Sequence, residues 1–391
     1  MQFRSSPNFS LCLSMDGRAF LAEDCEPYSQ YWLSETEQHL FMLFATVDGL
    51  TPTEAMDRYF RLLGHMPNQA EASALADVIS EMTACGVLLA RRDDTSRYTA
   101  QIVADYLTHR PIPSEISQHL VRRGAIDPAT RVLDLAGGPG DLALQLAKTS
   151  NHVSLMELSR GFLNAADERA KETDHALELH HDSCNRLIHH EGSYDVITIC
   201  QALHWMDDVR VCQGLCQVLE EDGHFFVIHA SLTVADRHPL SFLLGDHSIL
   251  GAKTKQSFAD EAASLAKRLN LIFCAIEQKP GLLGNVQTRA VDISLFHQPR
   301  PIDGGFARAF MTERHIEATG LSSQEFWQDV ASHLKGATDQ DLLGSIDWAV
   351  IHFSRGQQDN HAAFPAAKLP VTIPYSAGVY APSARWEALV A

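Results

Sequence analysis

The sequence predicts an α/β protein: a doubly wound, Rossmann-like sheet with a small winged-helix domain before it and a C-terminal extension after it. Three observations carry this expectation. The stretch "RVLDLAGGPGDLALQLA" (131–147) runs an apolar strand into a glycine-rich turn and directly on into a helical pattern, which is how a nucleotide-binding first strand is built. From Arg131 onward, short strand-like runs alternate with helical segments, as a parallel sheet requires. The first ninety residues instead read as short strands followed by three helices.

Length and composition narrow the field. At 391 residues the chain exceeds a usual single domain, and its patterning divides it into 1–95, 96–303 and 304–391. A formal charge of −18 argues against a nucleic-acid partner, whose phosphates attract Lys and Arg. No run approaches the ~18 apolar residues of a membrane span, and the opening "MQFRSSPNFS" turns polar at once, unlike a secretory signal. The eight cysteines lack framework spacing, and Cys212 and Cys216, four apart, have no second pair. Free thiols in a reducing cytoplasm are expected, and no metal site.

The opening elements follow from local signals. "SMDG" is a hairpin turn, with Asp16-Gly17 between alternating runs. Ser34 and Glu37 make a capping box ahead of the stripe Leu40, Phe41, Leu43 and Phe44, and Asp48-Gly49 ends that helix. Thr51, Pro52 and Glu54 open a second helix with cap, first-turn proline and box carboxylate in their preferred places. A third, from about Gln69 to Cys85, buries Leu75, Val78, Ile79 and Met82 and stops at Gly86.

Over about residues 5 to 90 this module resembles the precursor-peptide recognition domains of ribosomal peptide-modifying systems. The resemblance rests on Tyr31-Trp32-Leu33-Ser34-Glu35-Thr36, Asp48-Gly49-Leu50-Thr51 and Gly86-Val87-Leu88. It implies an open edge strand, Tyr28 to Leu33 with Tyr31 and Trp32 in it, beside a helix face near Asp77 and Glu81, where an extended leader peptide adds a strand. The competing reading is a winged helix that packs a homodimer together, as in many small-molecule O-methyltransferases. DNA binding ranks behind both, because the third helix carries few Lys or Arg. "RRDDTSRYTAQ" (91–101) is the domain exit, and helical segments from about Ile102 to Gly124 lead to the glycine turn.

In the second domain "RVLDLA", "HVSLMEL", "LELHHDSC", "YDVITICQ" and "HFFVIHA" are strands one to five. Ligands of such sheets bind at the carboxyl ends of the strands. That places Asp134 with the glycine turn, Glu157 with Leu158, Asp182 with Ser183, and Gln201, Ala202 and Trp205 around one site. Gly138-Pro139-Gly140 followed by Ala143 also satisfies a dinucleotide fingerprint, and Glu157 suits any ribose diol. Asp134 separates the alternatives: a carboxylate before the glycines repels a pyrophosphate but accepts the cationic amino-acid end of S-adenosylmethionine. Asp182 can accept from an adenine amino group, and "QALHWMDD" can close over the methionine part.

Together these motifs resemble the class I S-adenosylmethionine-dependent methyltransferases over about residues 105 to 300. The family's D-x-G-x-G-x-G maps to Asp134, Ala136, Gly138 and Gly140, with Gly137 inside the turn; Ala136 replaces the first glycine. Glu157, Asp182-Ser183 and "LHW" match the motifs after strands two, three and four.

Methyl transfer draws much of its rate from alignment, so a base is needed only where the acceptor must lose a proton. His204, just past strand four, is the first candidate; His229, at the end of strand five, is the second. His204 and Trp205 could equally pack over the cofactor without proton transfer. Beyond strand five, "KQSFADEAASLAKRLNLIFCAIEQ" reads as a helix and then strand six, "NVQTRAVDISLFHQP" as the antiparallel strand seven, and "PRPIDGG" as a boundary. In the extension "SSQEFWQDVASHL" is a capped helix with Phe326, Val330 and Leu334 on one face, and "FPAAKLPVTIPYSAGVYAP" a lid, peptide clamp or dimer contact. The expected function is methylation of a ribosomally made precursor peptide, O-methylation favoured over N-methylation. The alternative is O-methylation of a small natural product, with the module serving as a dimerisation domain.

Overall fold

The computed structural model describes residues 3–5, 9–14, 18–23, 30–45, 50–84, 87–90, 100–190, 192–203, 206, 208–234, 237–241, 255–277, 289–310, 316, 320–355 and 371–372. In the opening unit β1 (Phe3–Ser5) pairs with β5 (Leu88–Ala90), and β2 (Phe9–Leu13), β3 (Ala19–Glu23) and β4 (Gln30–Trp32) form an antiparallel meander. Helices α1 (Glu35–Phe44), α2 (Pro52–Leu63) and α3 (Gln69–Ala84) follow. Both expected capping boxes are formed: Ser34 N–H donates to Glu37 at 2.7 Å and Thr51 N–H to Glu54 at 2.8 Å. Such caps contribute about 1 kcal/mol each. Asn68 and Glu71 make a third, unanticipated box at the start of α3. Leu40, Phe44, Phe60, Leu75, Ile79 and Met82 fill one core beneath β2 and β3. The expected stops at Asp48-Gly49 and Gly86, and the turn at Asp16-Gly17, lie outside the described residues.

Helices α4 (Ala100–His109) and α5 (Ser114–Arg123) lead into the main sheet. Its strands are β6 (Arg131–Leu135), β7 (His152–Glu157), β8 (Glu178–His181), β9 (Tyr194–Cys200), β10 (Leu219–Val234), β11 (Arg289–Pro301), β12 (Leu343–Arg355) and β13 (Val371–Thr372), in the order β13-β11-β12-β10-β9-β6-β7-β8. Strands β6 to β10 are mutually parallel, which the helices α6 (Asp141–Leu146), α7 (Arg160–Thr173) and α8 (Asp208–Val218) make possible by crossing over. Both sheet faces are buried. Val132, Leu155 and Val196 meet α6 and α7 on one side, and Leu133, Ile197 and Val227 meet α8 and α9 (Lys255–Glu277) on the other.

Two expectations fail beyond β10. The run "LIFCAIE", read as strand six, is the last part of α9. Ala262, Ala266, Leu269, Phe273 and Ile276 are buried at helical spacing while Leu271 is exposed, so a 3.6-residue period overrides a β-like composition. The segment read as strand seven supplies β11, the sixth strand instead. The antiparallel strand is β12, inserted between β10 and β11 and lying beyond the boundary expected at 303/304. Residues 304–355 therefore complete the sheet unit, with α10 (Gly304–Phe310) and α11 (Ser323–Leu334) between its last long strands. Of the proline-punctuated stretch only Val371–Thr372 is described, pairing with β11.

Sheet register has a consequence for the site. Strand β9 ends at Cys200, opposite Ile228, whereas β10 continues from His229 to Val234 with β12 and β11 beside it. These strands overrun the carboxyl edge by about 20 Å and wall one side of it.

Candidate active site

The carboxyl edge of β6, β7 and β9 gathers most of the expected cofactor residues. Asp134 is fully buried; its Oδ1 accepts from the Thr198 hydroxyl at 2.6 Å, and its Oδ2 has no hydrogen-bond partner. Burial, reinforced by the charge of Glu157, pushes its carboxyl up to about 7, against the lowering effect of Thr198. Glu157 closes β7, buried, and accepts from Gly138 N–H at 3.0 Å and Ser159 N–H at 2.7 Å. Burial raises its pKa as well, against those backbone donors. Two acids side by side in a dry floor form a site that favours a cation or hydroxyl donors.

The turn between them is tight. A Cβ on Gly137 would lie 2.6 Å from Asp134 Oδ2, so any side chain there would push the carboxylate out of place. Gly138 sits at φ +56 with open space where a Cβ would be, leaving its backbone open to close approach. Ala136 adopts φ 51 where the resembling family has glycine, so the turn keeps the left-handed shape at some backbone strain. Gln201, ending β9, is left-handed too, at φ 53. Such strain persists where surrounding structure over-determines it, often at functional sites.

The remaining predicted residues divide. Leu158 is half-buried and its carbonyl bonds His181 Nε2 at 3.0 Å. Asp182 caps its own chain through Ser183 N–H (2.7 Å) and pairs with Arg186 (3.1 Å). Ala202 is buried under the edge. His204 and Trp205 lie outside the described residues. His229 stands one residue past the end of β9, its ring stacked on Phe258 and its Nε2 3.6 Å from Glu261. In the opening unit Tyr31 and Trp32 lie on β4, Trp32 half exposed, and Leu33 N–H donates to Ala19 at 3.0 Å. Asp77 and Glu81 are exposed on α3, which packs on α1, α2 and β5. Tyr28 lies outside the described residues.

Sequence reasoning missed Arg110. It follows α4, stacks 4.2 Å over Tyr106, hydrogen-bonds the Tyr106 hydroxyl, and donates to Gln201 Oε1 at 2.5 Å. A positive group is thus held at the end of β9 through Gln201. Only an arginine closing a helix in "THRPIP" hints at it in the sequence. Among the described residues no group of three or more His, Cys, Asp or Glu could hold a metal ion, and no helix is long and apolar enough to cross a membrane.

A family model described as a methyltransferase domain matches residues 132–223. The chain is 25% identical over 259 residues to the glycine/sarcosine/dimethylglycine N-methyltransferase of Actinopolyspora halophila, covering 63% of this chain and 42% of that protein. It is 26% identical over 200 residues to the ubiquinone/menaquinone biosynthesis C-methyltransferase UbiE of Vibrio cholerae, covering 47% and 76%. It thus spans under half of the first relative's length and about three quarters of the second's. Among solved structures, a methyltransferase from Thiobacillus denitrificans in complex with S-adenosyl-L-homocysteine aligns at TM-score 0.42 and 18% identity, covering 67% of this chain and all of that one.

The residues present fit S-adenosylmethionine. The unpartnered Asp134 oxygen can take the cationic amino end, Glu157 can accept from a ribose diol, and the open face of Gly138 leaves room between them. An ionised Asp134 would repel a pyrophosphate. The chain therefore carries an S-adenosylmethionine-dependent methyltransferase domain, matched over residues 132–223.

Proposed function

We propose that the protein methylates a peptide, held through its leader by the opening unit and modified at the carboxyl edge of the main sheet. The observation that supports this most is the meander: among the described residues β4 pairs with β3 alone, so its other edge offers backbone donors and acceptors to an added strand. Around it Trp32, Leu11 and Leu13 are exposed apolar residues on a three-stranded sheet, a surface suited to alternate side chains of an extended partner. The bound cofactor supplies an electrophilic methyl group. The chain's part is to hold it by Asp134, Glu157 and the glycine turn, and to bring an acceptor oxygen into line with it. Oxygen is preferred because the His229 imidazole stands one residue past the end of β9, where it can take a hydroxyl proton.

The second reading, a small-molecule acceptor with the opening unit joining two copies, is favoured by the relatives, whose names specify an amino-acid N-methyltransferase and a quinone-biosynthesis C-methyltransferase. Incubating the full chain with S-adenosylmethionine and candidate precursor peptides, quinones and amines, then locating added methyl by mass spectrometry, separates the two. Under the peptide reading, Trp32→Ala should weaken leader binding by about tenfold or more in fluorescence anisotropy, as loss of an aromatic anchor does. Its affinity for S-adenosylhomocysteine should stay unchanged. A proline in the pairing part of the leader should also weaken binding, because it removes a ladder donor. Methylation confined to small molecules, in a dimer that ignores every leader tested, would establish the second reading.

A further inference from the structure

The overrunning strands β10, β12 and β11 carry two histidines on one face, each beside a carboxylate, and neither belongs to the cofactor floor. Alternation defines the face: Val227, Leu295 and Ala349 pack toward α9, so His229, His297 and Asp347, two residues further along their strands, point the same way. His229 is held between the Phe258 ring and Glu261 of α9. Its Nδ1 makes no hydrogen bond among the described residues and is not sealed. His297 Nδ1 lies 2.6 Å from Asp347 Oδ1, and the other Asp347 oxygen accepts from the Thr233 hydroxyl at 3.0 Å. Its Nε2 is likewise without a partner among the described residues and unsealed. Each ring therefore has a carboxylate beside one nitrogen, hydrogen-bonded in His297 and 3.6 Å away in His229, and offers the other.

Stability does not account for this arrangement. Asp347 is buried, and a buried ion pair is often no more stabilising than apolar residues of the same volume. The next pair down between β11 and β12 on the same face, Leu295 with Ala349, is apolar. An imidazole oriented by a buried carboxylate, with its second nitrogen outward, is instead the arrangement that binds or moves protons.

We infer that the methyl acceptor lies along this face: His229, oriented by Glu261, takes the proton of the reacting group, and His297, oriented by Asp347 and Thr233, holds a second polar group of the same molecule. Position assigns the roles. His229 is one residue beyond the end of β9, beside the cofactor edge, whereas His297 lies two strands across and two residues further on, about 12 Å away. That distance is too long for His297 to reach the reacting atom, and it equals three to four residues of extended chain at about 3.3 Å each. The acceptor class is thus an elongated molecule with an ionisable hydroxyl or N–H at one end and a hydrogen-bonding group about 12 Å away, such as a short peptide segment. In the transfer, a lone pair on the acceptor heteroatom forms the new bond to the methyl carbon, and the carbon–sulfur bond electrons stay on sulfur. The heteroatom's proton passes to His229 Nδ1, and Glu261 faces the resulting imidazolium.

This inference rests on the methyl-transfer reading, which calorimetry with S-adenosylhomocysteine tests separately. Diethyl pyrocarbonate mapping of the full chain by mass spectrometry tests whether this face is open without knowing the acceptor. His229 and His297 should react well before the buried His238 and His352. If neither reacts, the face is closed and the inference falls, even where the cofactor binds. With whichever acceptor the screen labels, His229→Gln should lower kcat about a hundredfold or more with little change in KM. Glu261→Gln should lower kcat by about tenfold in the same manner. His297→Ala should raise KM at least tenfold, a larger change than in kcat. If all variants keep wild-type kcat and KM while binding S-adenosylhomocysteine normally, the histidines are ties between strands and α9, and the inference is overturned.

Discussion

Glu157→Ala is expected to weaken S-adenosylhomocysteine binding by about 1.5–3 kcal/mol, a roughly 10- to 150-fold rise in Kd, the usual effect of losing hydrogen bonds to a charged group. The geometry adds a second effect that the ribose role alone would not produce. The carboxylate accepts from both Gly138 and Ser159 N–H, so its removal leaves two donors in a dry turn without their acceptor. Each unsatisfied donor costs about 1–3 kcal/mol, and the ligand-free protein should therefore also melt earlier. Glu157→Gln does not escape this, since its amide nitrogen would face one of the same N–H groups. Calorimetry and thermal melts read the two effects apart. Unchanged affinity in Glu157→Ala, or tighter binding of NAD than of S-adenosylhomocysteine by the parent chain, would remove the assignment.

The strand, glycine turn and flanking acids of the candidate site are legible because their determinants are local. In 131–147 the apolar run, the acid, the glycines and the helix start are contiguous, and local physics gives each one conformation. Glu157 was legible for the same reason, as the acid that ends the next strand. Two of the failures need tertiary information. "IDWAVIHF" is a strand only because β10 and β11 flank it, and its buried Asp347 and His352 blur the apolar pattern that identified the others. Arg110 reaches the site by the fold of α4 against α7 and α10, which no spacing in the sequence encodes. Asn68 differs: its capping box with Glu71 was written in "NQAE" and could have been read. In the opening unit, residue patterns anticipated the strands and helices, but that β4 pairs with β3 alone among the described residues is a property of pairing.

Asp134→Asn is expected to act in opposite directions on the empty and the loaded protein. In the folded chain the Asp134 carboxyl is pushed up to about 7 from its ordinary 3.8, chiefly by burial. Between those values the native state keeps a proton that the unfolded state has released. Stability of the ligand-free protein therefore falls as pH rises from about 4 to about 7, by at most about 4 kcal/mol from this group. Below pH 4 both states are protonated and above pH 7 both are ionised, so the contribution is flat outside that window. Asparagine keeps an acceptor for the Thr198 hydroxyl and has no charge to bury, so Asp134→Asn should melt higher than the parent at pH 8 and lose the advantage by pH 4. The loaded protein should behave in reverse. A cationic amino group beside Asp134 favours the carboxylate, so cofactor binding should release a proton below pH 7 and tighten as pH rises from 6 to 8. The variant should bind at least about tenfold more weakly, consistent with a lost charged contact, and show neither effect. Melting curves from pH 4 to 8 and calorimetry in buffers of different ionisation enthalpy measure both halves. A variant that matches the parent's melting at every pH, or that binds the cofactor with the parent's affinity and proton release, would mean that Asp134 is a structural acid and that the cationic end lies elsewhere.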